Sequence, residues 1–190
     1  MVTFNLPIFL TWLRIVAIPL VVGVFYLPDG WLTPWERNLA ATVMFTGAAV
    51  TDWADGWLAR RWNQTSAFGA FLDPVADKLM VTAALIVLVE FDRVNAFIAV
   101  IIIGREIAIS ALREWMATLG QSKSVAVNML GKVKTFAQMF AIPLLLYQDR
   151  IGNFEPSQLG TWLILLAAGL TLVSMGYYIK LAMPASQDTQ

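Results

Sequence analysis

Long apolar stretches, separated by short polar connections, run along almost the whole chain. Six are present, at about residues 6–27, 38–62, 68–90, 94–117, 130–148 and 158–180. Asn5 and Pro7 are typical of a helix start and nothing basic precedes Arg14, so the first stretch is predicted to be a retained helix and not a cleaved signal. The pattern predicts an all-α polytopic membrane protein with six transmembrane helices, although only Leu159–Ile179 is an uncharged run of spanning length.

Lysine and arginine residues are distributed unequally between the two sets of helix ends. One set, together with the first helix, carries most of them: Arg14, Arg60, Arg61, Lys78, Arg113, Lys123, Lys132, Lys134 and Lys180. The opposite loops carry Arg37, Arg93 and Arg150. Because basic residues collect on the cytoplasmic side of a membrane protein, the first set and both termini are predicted to be cytoplasmic.

The composition agrees with a membrane location and narrows the possible chemistry. Hydrophobic residues make up 58% of the 190 residues and charged residues 14%, which excludes a disordered chain and is unusual for a soluble domain. The formal net charge is zero, so no overall field favours nucleic acid as a partner. The chain contains no cysteine and no histidine. A general base or metal ligand must therefore be a carboxylate, a hydroxyl or a lysine.

Four aspartates flank the connection between the second and third predicted helices. Asp52 and Asp55 are three residues apart, and Asp73 and Asp77 are four apart, so each pair shares one helix face. The connection is short, and antiparallel packing of the two helices is expected to bring the pairs together. Four carboxylates are thus predicted to converge at the cytoplasmic end of the bundle.

Carboxylates gathered in this way need cations to stay ionised. Mg²⁺ or Mn²⁺ prefer such oxygen ligands, and two ions can clamp the attacking and leaving oxygens of an in-line phosphoryl displacement. Gly56, Ala59 and Gly69 have small side chains or none, so that a substrate can approach the backbone at these positions. Two other interpretations stay open: helix caps or ion-pair partners of neighbouring basic residues, and acids lining a cation or proton pathway.

The aspartates belong to a longer pattern, D-x2-D-G-x2-A-R-x8-G-x3-D-x3-D. Its fixed positions are filled by Asp52, Asp55, Gly56, Ala59, Arg60, Gly69, Asp73 and Asp77. This pattern resembles the signature of the CDP-alcohol phosphotransferase family. Three further segments resemble family members that use glycerol 3-phosphate: NLPIFLTWLR at 5–14, GREIAISALREWMA at 104–117 and GKVKT at 131–135. The resemblance covers the chain from about residue 5 to residue 180.

The resemblance implies a six-helix enzyme of the bacterial inner membrane, usually a homodimer. It would transfer the phosphatidyl group of CDP-diacylglycerol to sn-glycerol 3-phosphate and release CMP. By the same resemblance, Asp52, Asp55, Asp73 and Asp77 hold two Mg²⁺ or Mn²⁺ ions, and Asp77 is also the general base. The residues implied to line the CDP site are Gly56, Ala59, Arg60 and Gly69. One domain is expected over residues 1–182, followed by a polar tail at 183–190.

The acceptor phosphate requires fixed positive charge. Candidates for binding it are Arg105, Arg113, Lys132 and Lys134, with Thr11 and Arg14 added by the resemblance. A buried ion pair with Glu106 or another acid is the alternative role of Arg105, and membrane orientation is the alternative for the basic residues of the loops. Other acceptors also stay open, namely serine, inositol phosphate or phosphatidylglycerol. An ion-coupled transporter is the alternative from another class of protein.

Overall fold

A computed structural model of the chain describes residues 6–62, 67–118 and 129–185. This part of the chain is all-helical apart from an isolated bridge between Ile151 and Phe154. The six α-helices are α1 (Leu6–Gly23), α2 (Pro34–Trp62), α3 (Ala67–Glu90), α4 (Ala96–Thr118), α5 (Met129–Tyr147) and α6 (Pro156–Ala185). A 3₁₀ turn, Val24–Tyr26, follows α1.

Local sequence determines where several helices begin. The hydroxyl and backbone N–H of Thr33 both donate to the Glu36 carboxylate, and the Glu36 N–H donates back to the Thr33 hydroxyl. This reciprocal capping box satisfies backbone donors at the start of α2. Asn95 has a related role before α4, where its side-chain oxygen accepts a hydrogen bond from the Phe97 N–H at 2.8 Å.

Most helix boundaries lie within two residues of the predicted stretches, but α2 begins at Pro34, four residues before the predicted start, and the two ends of the chain also differ. The α-helical part of α1 ends at Gly23, and the 3₁₀ turn carries the apolar stretch onward to Tyr26. At the other end, α6 continues to Ala185, beyond the predicted end at residue 180. The added residues include leucine, alanine and methionine, which have high helix propensity and extend the helix into the predicted tail.

The helices pack in a closed order. Helix α1 lies against α2 and α3, α2 against α5, α5 against α6, and α6 against α4, which returns to α3. The buried apolar core occupies the second halves of α3 and α5 and the first halves of α2 and α4, with Phe45, Leu85, Leu88, Ile142 and Leu146 at its centre. The aspartates of the sequence pattern therefore lie at the end of the bundle farther from this core.

The outer surface of the bundle is also apolar. Large apolar side chains are exposed on all six helices, for example Leu20, Val43, Ile86, Phe97, Phe136 and Trp162. Two segments, Phe9–Tyr26 and Pro156–Gly176, are long and apolar enough to cross a membrane. A soluble monomer rarely exposes apolar surface on this scale. The exterior thus agrees with a membrane protein.

Arg93, in the connection between α3 and α4, ties together the end of the bundle nearest the core. Its guanidinium donates to the backbone oxygens of Leu145 and Leu146 and to the side-chain oxygen of Asn38, at 3.3, 2.7 and 2.7 Å. Asn38 in turn donates to Asp149 at 2.9 Å. These bonds join α2, the connection after α3, and the end of α5. We refer to this network as the Arg93 clasp.

Candidate active site

The centre of the site is a buried arginine on α1. Arg14 is 2% exposed, and its Nη1 lies 2.8 Å from an oxygen of Asp52 on α2 and 3.0 Å from an oxygen of Asp77 on α3. The two carboxylates are about one third exposed. One guanidinium group therefore joins three helices and holds one aspartate from each predicted pair at the same point.

A second contact between α1 and α3 orients another aspartate. The buried hydroxyl of Thr11 donates to Asp73 at 2.6 Å. Thr11 and Arg14 are three residues apart, and Asp73 and Asp77 are four apart, so matched faces of two helices meet. We refer to Thr11, Arg14, Asp52, Asp73 and Asp77 together as the carboxylate cluster.

The composition of the carboxylate cluster fits a divalent cation. The cluster contains one positive group and three carboxylates: Arg14 pairs with Asp52 and Asp77, and Asp73 accepts a hydrogen bond from Thr11. Hard oxygen ligands of this kind suit Mg²⁺ or Mn²⁺. Within the described residues, no three or more acidic side chains are grouped closely enough to form a recognisable metal site. The side chain of Asp55 lies outside the described part of the structure and so is not among these acidic side chains. The ligand chemistry of the cluster thus agrees with the metal prediction, while the four-aspartate ligand set stays a prediction.

Several predicted site residues have helical backbone in the structure but side chains outside its described part: Asp55, Gly56, Ala59, Arg60, Arg113 and Lys132. Their predicted roles stay predictions. Gly69 is buried in the first turn of α3, one turn before Asp73.

The basic residues of α4 and α5 converge on an acid. Glu106 on α4 forms an ion pair with Lys134 on α5 and lies 3.4 Å from Arg105 Nη1. Lys134 and Arg105 are buried, at 1% and 7% exposure. The ion-pair alternative for Arg105 is therefore present in the structure. It also involves Lys134, for which phosphate binding and membrane orientation are the predicted roles.

A cavity of about 170 Å³ lies beside this ion pair, between α3, α4 and α5. The polar side chains that line it are Asp77, Lys78, Glu106, Thr135 and Gln138, and its apolar side chains are Pro74, Val81 and Met139. Asp77 belongs both to this cavity and to the carboxylate cluster, so the cavity opens onto the predicted base. Sequence reasoning missed Gln138; the available signal was its position one turn after Lys134 in an otherwise apolar helix.

A separate groove of about 300 Å³ runs between α1 and α2. Its walls are mostly apolar or small, with Leu13, Ala17, Leu20, Val43, Met44, Gly47 and Ala48 among them. Arg14 and Thr51 line the groove as well. Because Arg14 contacts Asp52 and Asp77, the groove is continuous with the carboxylate cluster.

Comparison with known proteins identifies the family of the chain. The family model for CDP-alcohol phosphatidyltransferases matches residues 4–173. The chain belongs to this family. It is 50% identical over 181 residues to proteins named CDP-diacylglycerol–glycerol-3-phosphate 3-phosphatidyltransferase from Shigella flexneri serotype 5b (strain 8401) and from Escherichia coli (strain K12). Each alignment covers 94% of this chain and 95% of the relative.

Membership of the CDP-alcohol phosphatidyltransferase family bears directly on the carboxylate cluster. Enzymes of this family generally depend on divalent metal ions. The matched range includes all the aspartates of the sequence pattern and the helices that carry them. The cluster is therefore the candidate active site.

Proposed function

We propose that this protein transfers the phosphatidyl group of CDP-diacylglycerol to sn-glycerol 3-phosphate, giving phosphatidylglycerol phosphate and CMP. The observation that carries the proposal is that Arg14 contacts both Asp52 and Asp77. The chain is also 50% identical, over 94% of its length, to relatives named for this reaction. Those relatives are named for both substrates, CDP-diacylglycerol and glycerol 3-phosphate.

The carboxylate cluster is proposed to hold Mg²⁺ or Mn²⁺, as two ions, through Asp52, Asp55, Asp73 and Asp77. Bound divalent ions would offset the charge of the donor phosphates and of the departing CMP oxygen. Arg14 and Thr11 have a different part in this proposal. Their contacts with Asp52, Asp73 and Asp77 hold these carboxylates in place, which supports a positioning role beside the predicted phosphate contact.

The groove between α1 and α2 supports a lipid donor. Its apolar walls suit an acyl chain, and its continuity with Arg14 would place the attached headgroup beside the carboxylates. Gly56, Ala59, Arg60 and Gly69 are proposed to contact the cytidine diphosphate part. A donor placed in this way keeps its acyl chains in the bilayer while its phosphates reach the water-exposed end of the bundle.

Asp77 is proposed as the general base because it lies where the carboxylate cluster meets the cavity. The proton of the primary glycerol hydroxyl passes to Asp77 as the hydroxyl oxygen attacks the phosphatidyl phosphorus. A new phosphorus–oxygen bond forms, the bond from this phosphorus to the bridging oxygen breaks, and CMP leaves with that oxygen. The acceptor phosphate is proposed to bind Arg105, Arg113, Lys132 and Lys134, of which Arg105 and Lys134 lie beside Glu106 in the lining of the cavity.

The apolar exterior supports six transmembrane helices. Exposed large side chains recur at helical spacing, as in Phe9, Leu13, Val16 and Leu20 of α1. The same kind of surface on the other helices suits contact with lipid. With the basic residues at one set of helix ends, we propose a bacterial inner-membrane protein whose active site and termini are cytoplasmic. A homodimer is proposed from the family resemblance.

The reaction is tested with purified full-length protein in detergent, CDP-diacylglycerol and Mg²⁺. CMP release is followed with sn-glycerol 3-phosphate, serine, inositol phosphate, phosphatidylglycerol or no acceptor. We expect release that requires sn-glycerol 3-phosphate, stops with EDTA and returns with added Mg²⁺ or Mn²⁺. Release with a different acceptor would overturn the proposed acceptor. Folded protein that releases no CMP with any acceptor would overturn the reaction.

A further inference from the structure

The cavity between α3, α4 and α5 contains a polar group that the proposed reaction does not use. Gln138 on α5 is 4% exposed, and within the described residues its Oε1 accepts no hydrogen bond. Buried polar side-chain atoms are nearly always hydrogen-bonded. A buried amide oxygen without a described partner, on a side chain that lines a cavity, is therefore a candidate contact for a ligand.

The surroundings of Gln138 favour a small neutral polar ligand at this point. Two carboxylates, Asp77 and Glu106, and one ammonium group, Lys78, line the cavity, so the negative charges disfavour placing a phosphate against Gln138. The volume of about 170 Å³ corresponds to about five or six water molecules at about 30 Å³ each. That space suits the hydroxyl-bearing part of a short polyol.

We infer that the Gln138 carboxamide binds the secondary hydroxyl of the acceptor while the primary hydroxyl reaches Asp77. Gln138 thereby selects acceptors that carry a hydroxyl beside the reacting carbon. This inference rests on the proposed function. It does not depend on which end of the amide faces the cavity, because a hydroxyl both donates and accepts hydrogen bonds.

The test compares sn-glycerol 3-phosphate with 3-hydroxypropyl phosphate, which lacks only the secondary hydroxyl. We expect the wild-type kcat/KM to be about tenfold higher for sn-glycerol 3-phosphate, the effect of one neutral hydrogen bond. Gln138→Leu and the similarly shaped Gln138→Met should lose this preference, bringing the ratio of the two kcat/KM values close to one. Their kcat/KM for 3-hydroxypropyl phosphate should change much less.

Thr171→Val is the matched control. Thr171 on α6 is fully buried, its Oγ1 also has no partner within the described residues, and it does not line the cavity. We expect this variant to keep the wild-type acceptor ratio. A general effect of removing a buried polar group would change the ratio in both sets of variants and would contradict a specific role for Gln138.

The outcomes separate the inference from the proposed function. CMP release by wild-type protein without preference between the two acceptors would overturn the role of Gln138 and leave the reaction intact. Folded Gln138 variants that keep the wild-type preference would do the same. Failure of the wild-type protein to release CMP with either acceptor would overturn both. If neither variant folds, a wild-type ratio close to one still overturns the inference, and Gln138→Glu, which keeps the size of the side chain and its carbonyl-type oxygen, then tests whether the preference depends on this position.

Discussion

At one end of the bundle, Arg93 donates its hydrogen bonds to neutral oxygens, and the Asp149 carboxylate joins the same network through Asn38, whereas at the other end Arg14 pairs directly with two carboxylates. The Arg93 clasp lies beside the tightly packed apolar core. The carboxylate cluster lies beside a cavity and a groove. The difference supports a stabilising role for the Arg93 clasp and the proposed ligand-binding role for the carboxylate cluster.

The largest expected effect comes from Asp77→Asn, which tests the reactive end. The substitution keeps the shape of the side chain but removes the proposed base, which predicts a loss of turnover of about 10²- to 10⁴-fold. The melting temperature should change little, because Asp77 is about one third exposed. CMP release and thermal unfolding measured on the same preparation check both statements. Wild-type turnover would remove Asp77 as the base.

Arg14→Met tests whether Arg14 organises the carboxylates. Without the guanidinium, Asp52 and Asp77 lose their shared partner, so we expect activity to fall severely. The melting temperature of the variant should rise more on addition of Mg²⁺ than that of the wild-type protein, because a cation replaces part of the lost positive charge. An equal Mg²⁺ response in both proteins would contradict this role of Arg14.

Arg93→Met is the counterpart at the other end. It removes the hydrogen bonds to Leu145, Leu146 and Asn38 and leaves their oxygens without a donor, which predicts a loss of about 2–3 kcal/mol in the free energy of unfolding. The loss should be the same with and without Mg²⁺. Turnover per folded molecule should stay at the wild-type value. A large fall in turnover with unchanged stability would contradict the stabilising role of the Arg93 clasp.

Gly160→Ala tests how tightly the stable end is packed. A Cβ at Gly160 on α6 would lie 2.8 Å from Leu145 Cγ and 3.2 Å from the backbone oxygen of Ala141. Overpacking of this kind predicts a loss of about 1–3 kcal/mol. Gly169→Ala is the control on the same helix, because its Cβ would meet no described atom within 4 Å. Chemical or thermal unfolding should show the larger loss for Gly160→Ala.

Glu36→Gln has the smallest expected effect. The pKa of Glu36 is lowered from its ordinary value of 4.5, because its carboxylate accepts hydrogen bonds from the backbone N–H and hydroxyl of Thr33 at the exposed start of α2. The ionised form is therefore favoured in the folded protein. Its stabilisation is complete above pH 4.5 and is lost as the pH falls through the lowered pKa. Glu36→Gln should remove this small pH-dependent contribution to stability, whereas identical pH profiles would contradict it.

The order of the helices and most of their boundaries could be predicted from the sequence. Apolar runs, Asn95 before α4, and the Thr33–Glu36 capping box are local features. The pairing of aspartates on helix faces was also local, because it depends only on helical spacing. The ion pair of Arg105 with Glu106 was foreseen as an alternative, since neighbouring charges in an apolar helix need partners.

Other parts of the site depend on packing between helices. The sequence could not show that Arg14 bridges Asp52 and Asp77, because these residues come from three different helices. It could not show that Lys134 on α5 pairs with Glu106 on α4, or that the buried Gln138 Oε1 has no described hydrogen-bond partner. Such facts depend on helix rotation and separation, which local propensity does not determine.

The sequence by itself thus determined an all-helical chain, its family, and the residue types able to perform phosphoryl transfer without histidine or cysteine. Helical periodicity and fixed motif spacing act over a few residues, so they can be read along a single chain. Only the tertiary structure decided which charges neutralise one another, where the cavity opens, and where along the bundle the apolar core lies. Burial and electrostatic pairing arise from side chains brought together from distant parts of the sequence, so they exist only once the helices have packed.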